Sequence, residues 1–300
     1  MILTVTPNTA LDVTYTVDGL RPDGVHRVRE VRSRAGGKGI NVARVLHALG
    51  VDVRAVATAG GATGSAVAAD LGAAGLPAEL VPIAGETRRT TTVLGDDGSV
   101  TLLNEPGPAL SVAEWALLAD AVRRHTPEVL VCSGSLPAGA PSDAYTSLLT
   151  GTSAPAVLDT SGAALLAGLA AHPAVVKPNA EELREVTGLA DPVAAAGELR
   201  RAGAGAVVVS LGAVGLLAVT GSGTWHATPS TALRGNSTGA GDAVVAALAL
   251  GLSRREPWPD ILRRAVALSG AAVLGPLAGD IDLAHYEREV DLVAVRVVSG

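Results

Sequence analysis

Residues 238–242 read Thr-Gly-Ala-Gly-Asp and run straight into "AVVAALALGL", an apolar stretch of helical length. A helix start offers unpaired N–H groups and partial positive charge, which suit an anion. Gly239 and Gly241 let the backbone approach one closely. Asp242 adds a carboxylate at the same place. Complementing the helix dipole is one reading of that acid. The other is a division of labour in one in-line displacement. Asp242 takes the proton of an attacking hydroxyl, while the adjoining N–H groups neutralise the phosphoryl group in transit.

Two lysines point the same way. Of the 23 basic residues only Lys38 and Lys177 are lysine, and the rest are arginine. Where arginine serves almost every need for a cation, a retained lysine suggests a compact ammonium that a planar guanidinium cannot replace. Lys38 lies in "AGGKGIN", where Gly36, Gly37 and Gly39 permit close backbone approach and Asn41 adds a polar group. Lys177 opens "KPNAEEL", in which Asn179 and Glu182 have the spacing of a helix capping box. The same geometry would turn Glu182 toward the space beyond a strand end, to hold waters around Mg²⁺. Both readings stay open on the residues alone. "VCSGSLPAG" sets Ser133 and Ser135 at a further strand end, where a plain turn explains them nearly as well.

These groups need a scaffold, and the apolar pattern supplies one. Short β-branched runs at 2–6, 53–57, 129–133, 156–160, 174–178, 206–210 and 216–220 are mostly apolar throughout, as strands covered on both faces are. Helical stretches lie between them, with start signals at Ser111–Glu114 and Asp191-Pro192. The expectation is an α/β fold with a mainly parallel sheet between helix layers, its ligand beyond the carboxyl ends of the strands. Residues 11–34 and 86–104 break this rhythm. They alternate and carry Asp-Gly turn signals at 18–19, 23–24 and 97–98, which predicts antiparallel hairpins forming a small appended sheet. No linker or repeat is evident, and the length of 300 residues fits two domains or one large α/β unit equally.

Bulk properties exclude several classes. With 48% hydrophobic and 17% charged residues the chain is globular rather than disordered, and a net charge of −6 gives no reason to expect nucleic acid or anionic membrane. Cys132 stands alone, ruling out an internal disulfide, and the six histidines are scattered. Neither a leader nor an apolar run of spanning length is evident, so the expectation is a soluble, cytoplasmic protein.

The ordered set "AGGKGINVARVLHALG", "NEPGP" (104–108), "SGSLP" (133–137), "KPNAEEL" and "TGAGDA" resembles the ribokinase-like (PfkB) carbohydrate kinases over essentially the whole chain. Within that family "TPNTALD", "GGKGINVARVL", "NEPGP" and "SLG" (210–212) look most like 1-phosphofructokinase and tagatose-6-phosphate kinase, with the minor 6-phosphofructokinase a close relative. The resemblance implies a three-layer αβα sandwich with a β-sheet lid, ATP as donor, Mg²⁺, and a homodimer built through the lids. It implies Asp242 as base and Gly239, Ala240 and Gly241 as anion hole. Asp12, Gly37, Lys38, Asn41 and Ser135 become sugar or phosphate contacts. Arg88 holds the substrate's phosphate, with Arg89 leaving the register open by one, and Arg27 is a further phosphate contact across a dimer. Ser210, Gly212 and Thr238 are nucleotide contacts; Lys177, Asn179 and Glu182 form the phosphate and Mg²⁺ group. Thr238, Ala243 and His26 depart from the usual pattern, which bears on the acceptor. The expected reaction is fructose 1-phosphate to fructose 1,6-bisphosphate, with tagatose 6-phosphate or fructose 6-phosphate as alternative acceptors. Two rivals come from other classes. One is a dinucleotide-binding oxidoreductase, suggested by "GGATG" (60–64) with Glu79; the other is a non-catalytic sugar sensor.

Overall fold

A computed structural model describes residues 1–298 except 232, 234 and 236. Asn236, in the stretch leading into the Gly-Ala-Gly-Asp turn, therefore lies outside the described residues, as do 299 and 300.

The apolar runs form the middle of a ten-stranded sheet. Six neighbouring pairs are parallel, joining in order Ala206–Ser210, Val175–Val176, Ala156–Asp159, Val129–Ser133, Ile2–Thr6, Val53–Ala59 and Ala78–Pro82. Leu216–Thr220, Gly223–Thr228 and Ala294–Val297 extend the other edge antiparallel, so the sheet is mixed at that end.

Side chains alternate along each strand and feed two cores. Leu3, Val5, Leu130, Cys132, Leu158 and Val207 face helices Val112–Arg123, Ala144–Thr150, Gly162–Gly168 and Pro192–Arg201. Ile2, Val53, Val129, Val131, Val157 and Val208 face helices Lys38–Ala48, Ala240–Arg254 and Trp258–Val273. That is the expected three-layer αβα sandwich. Small residues bring the last two helices close: a side chain on Gly251 would meet Ile261 Cγ1 at 2.4 Å. The strand Ile2–Thr6 has chain-order neighbours leaving in opposite directions on its two sides, which opens a crevice at the carboxyl ends of the central strands.

The alternating segments form the small second sheet. Its order is Glu30–Gly36, Ala10–Val17, Arg88–Gly95, Val100–Asn104. Both hairpin pairings are antiparallel, and the two hairpins join through a parallel pairing of Ala10–Val17 with Arg88–Gly95. Residues 18–29, expected within the first hairpin, form no strand and connect the two. This sheet buries little of its own, chiefly Val13, Val17 and Val93, and leaves Val31, Leu102 and Leu103 exposed.

Candidate active site

Where the two sheets meet lies a cavity of about 1050 Å³. Its walls include Asp12, Arg88, Thr90 and Asn104 from the small sheet and Gly37, Lys38 and Asn41 from the glycine loop. Ser135, Asp159, Lys177, Asn179, Glu182, Ser210 and Gly212 come from the main-sheet strand ends, and 237–242 from the helix start. Among the expected site residues Arg27 is the exception: it sits exposed in the 18–29 connection, away from this wall.

Asp242 lies in the first turn of helix Ala240–Arg254, only 6% exposed. Asn41 Nδ2 donates to its Oδ2 at 2.8 Å. Burial, helped by the like charge of Asp159 and opposed by Lys38, Lys177 and the Asn41 bond, pushes its pKa up to about 7. A carboxylate so poised is half-ionised near neutrality, the condition in which a general base works best. The helix is capped by Gly239 in the left-handed region (φ 87°), which glycine adopts without a steric cost. The Ala240 N–H already donates to Ser237 O at 3.2 Å, and the Ala243 N–H to Gly239 O at 3.0 Å. Of the expected anion donors Ala240 is thus engaged locally. The N–H groups of Gly241 and Asp242 have no helical acceptor, as at any helix start.

The two lysines converge. Lys38 Nζ and Lys177 Nζ each stand 3.3 Å from the same oxygen, Asp159 Oδ1. Asp159 is 1% exposed at the end of its strand. Burial alone would raise its pKa, but Lys177 and Lys38 together hold it below the ordinary carboxylate value, and Asp159 in turn holds the Lys38 ammonium above its own. Sequence reasoning missed Asp159. The signal was there in "AVLDT", an acid closing an apolar strand at the end where ligands sit, but nothing local linked it to the lysines.

Asn179 and Glu182 form both halves of the capping box: Asn179 Oδ1 accepts the Glu182 N–H and Glu182 Oε2 the Asn179 N–H, each at 2.8 Å. Both residues also line the cavity, so serving as a cap does not keep them from the space beyond the strand end. Asn179 bridges to Ser210 on the neighbouring strand, which sets two expected nucleotide contacts side by side.

Asn8 was also missed. Its Nδ2 donates to Pro106 O at 3.0 Å and to Ser135 Oγ at 3.1 Å, joining "NEPGP" to "SGSLP". At this end Arg88 projects into the cavity, with Nε donating to Asn8 O and Nη1 to Glu105 O. Arg89 turns the other way and donates to Thr63 Oγ1, so of the two Arg88 lines the cavity. Burial pushes Asp12 up to about pKa 6 against the pull of Arg88 and Arg34. Leu216, Leu233, Val244, Val266 and Val273 add an apolar stretch to the lining.

"GGATG" does start a helix, but the N–H groups of Ala62 and Thr63 at that start are taken by the Glu86 carboxylate, at 3.2 and 2.6 Å. Glu79 pairs with Arg124 and His125. Neither is placed to receive a dinucleotide. No helix of the described residues is long and apolar enough to cross a membrane.

Comparison with known proteins fits this geometry. A family described as pfkB family carbohydrate kinase matches residues 4–283. An ATP-dependent 6-phosphofructokinase isozyme 2 from Mycobacterium tuberculosis is 40% identical over 98% of the chain and 90% of that relative. Phosphofructokinase-2 from Escherichia coli, solved with potassium, superposes with a TM-score of 0.91 at 31% identity, covering 97% of this chain and 98% of the other. A possible 1-phosphofructokinase from Thermotoga maritima has a TM-score of 0.89 over 99% of both chains, but at 24% identity it speaks to the fold alone. These findings correct the expected kinship with 1-phosphofructokinase and tagatose-6-phosphate kinase: the well-matched relatives are 6-phosphofructokinases. The motifs behind that expectation meet around Asp242, Lys38 and Lys177 in one cavity.

Proposed function

The chain belongs to the pfkB family of carbohydrate kinases, and from that premise we propose that it moves the γ-phosphoryl group of ATP onto the primary hydroxyl of fructose 6-phosphate. The observation that carries the chemistry is Asp242: a buried carboxylate near neutrality, oriented by Asn41, at the mouth of a glycine-capped helix and in the wall of one continuous cavity. The acceptor assignment follows the 40%-identical relative.

In this reading the sugar lies against Asp12, Gly37, Asn41 and Ser135, and Arg88 clamps its existing phosphate with a planar fork. The adenine end rests on the apolar wall beyond Ser210, Gly212 and Thr238. Asp242 accepts the hydroxyl proton as the oxygen attacks, and the N–H groups at the helix start, chiefly Gly241 with Gly239, face the charge on the phosphoryl oxygens. Lys38 and Lys177 release part of their hold on Asp159 to the polyphosphate.

Among the described residues no cluster of three or more metal-ligating side chains exists. Mg²⁺ fits all the same, because it keeps several waters and needs only one or two carboxylates besides substrate phosphates. Glu182 and Asn179 would hold it, and the ion would neutralise phosphate charge. The chain works as one kinase domain with residues 11–34 and 86–104 as its lid. The exposed Val31, Leu102 and Leu103 suit a homodimer through the lids, which would bring Arg27 to a partner's sugar phosphate.

A coupled ADP-release assay with ATP, Mg²⁺ and a panel of fructose 6-phosphate, fructose 1-phosphate, tagatose 6-phosphate and free fructose tests the proposal. The expected outcome is the highest kcat/KM on fructose 6-phosphate. A preference for any other member, or no turnover at all, refutes it.

A further inference from the structure

We propose that Arg34 is a positioning residue for phosphoryl transfer, tying the small sheet to the turn that shapes the anion-binding corner; this rests on the kinase reading above. The corner is Gly239. A side chain there would meet Ala278 Cα at 3.0 Å and Gly279 N at 3.1 Å, so residues 278–279 form the wall behind the helix cap. Gly279 is seated equally tightly on the glycine-loop helix: a Cβ would lie 3.1 Å from Arg44 Cδ and 3.3 Å from Asn41 Cα. The turn is therefore packed between the anion corner and the residue that orients Asp242.

Arg34 holds this turn from the lid. Its Nη1 donates to Ala278 O at 3.2 Å and pairs with Asp280 Oδ1 at 2.8 Å, with the Arg34 side chain only 14% exposed. The next residue of the same strand is gripped from a different element: the Ala35 N–H donates to Asp70 Oδ2 at 2.9 Å, and that carboxylate also pairs with the buried Arg44. Two consecutive residues thus fasten the strand immediately before Gly36 and Gly37. Arg34 also lies opposite Asp12 in the ladder. A shift of this strand moves Asp12 at the sugar end and, through Arg34, the wall behind Gly239 at the phosphoryl end. Sugar seating and the anion corner are one mechanical unit, and the tie acts on the transition state more than on binding of either substrate.

Arg34→Met keeps much of the side-chain volume and removes both contacts; Asp280→Asn removes the charge alone. The expected result is a fall in kcat of about 10- to 100-fold for Arg34→Met, the scale of an ångström-level misplacement, with both KM values within about threefold. Hydrogen exchange should quicken at the amides of residues 238–243 in the protein without substrates. The charge exchange Arg34→Asp with Asp280→Arg should recover part of the lost kcat. Folded Arg34→Met with unchanged kcat and exchange overturns the proposal, and so does a rise in sugar KM alone, which would make Arg34 a substrate contact. Should Arg34→Met fail to fold, the same two readouts on Asp280→Asn decide. The exchange arm needs no acceptor, so a wrong acceptor shows instead as absent turnover of the unaltered protein.

Discussion

Replacing Asp242 by Asn separates two roles that burial has combined in one side chain. The folded pKa of about 7 stands above the ordinary 3.8, so ionising Asp242 opposes folding. Its contribution is fully favourable below about pH 4 and is lost as pH rises through 7. Integrating between those two values puts the penalty carried by the native protein at about 2 kcal/mol at pH 5 and about 4 kcal/mol at pH 8. Asparagine has no such titration and can keep the 2.8 Å contact to Asn41 through its amide oxygen. Urea unfolding of both proteins at pH 5 and pH 8 should show the variant gaining roughly 2–3 kcal/mol over its parent across that interval. Turnover should move the other way, with kcat lower by roughly 10²–10⁴ for loss of a general base. In the parent, kcat/KM should climb with pH up to about 7 and then level. A stability gap that stays constant from pH 5 to 8 would refute the buried, near-neutral carboxylate. Near-normal kcat in the variant would refute the base.

Other expectations follow from single contacts. Arg88→Ala should raise KM for a phosphorylated sugar by about 10- to 100-fold, the scale of a charge-assisted hydrogen bond, with little effect on use of a free sugar. Arg89→Ala, which loses the bond to Thr63 and the attraction to Glu86 outside the cavity, should leave that KM near its starting value; equal effects of the two changes would undo the register. Asp159→Asn leaves the buried Lys177 and the part-exposed Lys38 facing a neutral amide, and denaturant titration should register a loss of about 3–5 kcal/mol, chiefly from Lys177. A loss under about 1 kcal/mol would mean that the lysines are solvated elsewhere.

The sequence made the central sheet legible because strands covered on both faces need continuous apolar runs, and Ile2–Thr6, Val129–Ser133 and Ala206–Ser210 fall where those runs do. The caps at Ser111, Asn179 and Asp191 were legible for a local reason: a cap and its partner lie within three residues. The cavity motifs were readable as glycine and lysine turns, yet their meeting was not. Asp159 reaches Lys38 across 121 positions and Asn8 reaches Ser135 across 127, distances over which no pattern in the chain reports proximity. The engaged Ala240 N–H likewise depends on the turn geometry at Ser237 rather than on residue type. The kinship with 6-phosphofructokinases was not legible for a different reason: on the kinase reading the quoted motifs serve phosphoryl transfer, which is indifferent to which carbon of the sugar already bears phosphate.

The convergence of Lys38 and Lys177 on one carboxylate, in a chain with no other lysine, confines side-chain amine chemistry to a single place. Acylation of lysine, whether by a metabolic acyl donor or by a labelling reagent, can strike this protein only inside its cavity. Each adduct there would cancel a cation facing Asp159. On the kinase reading, added ATP should shield both amines from such reagents, and the lysine content of the chain then serves as a gauge of occupancy.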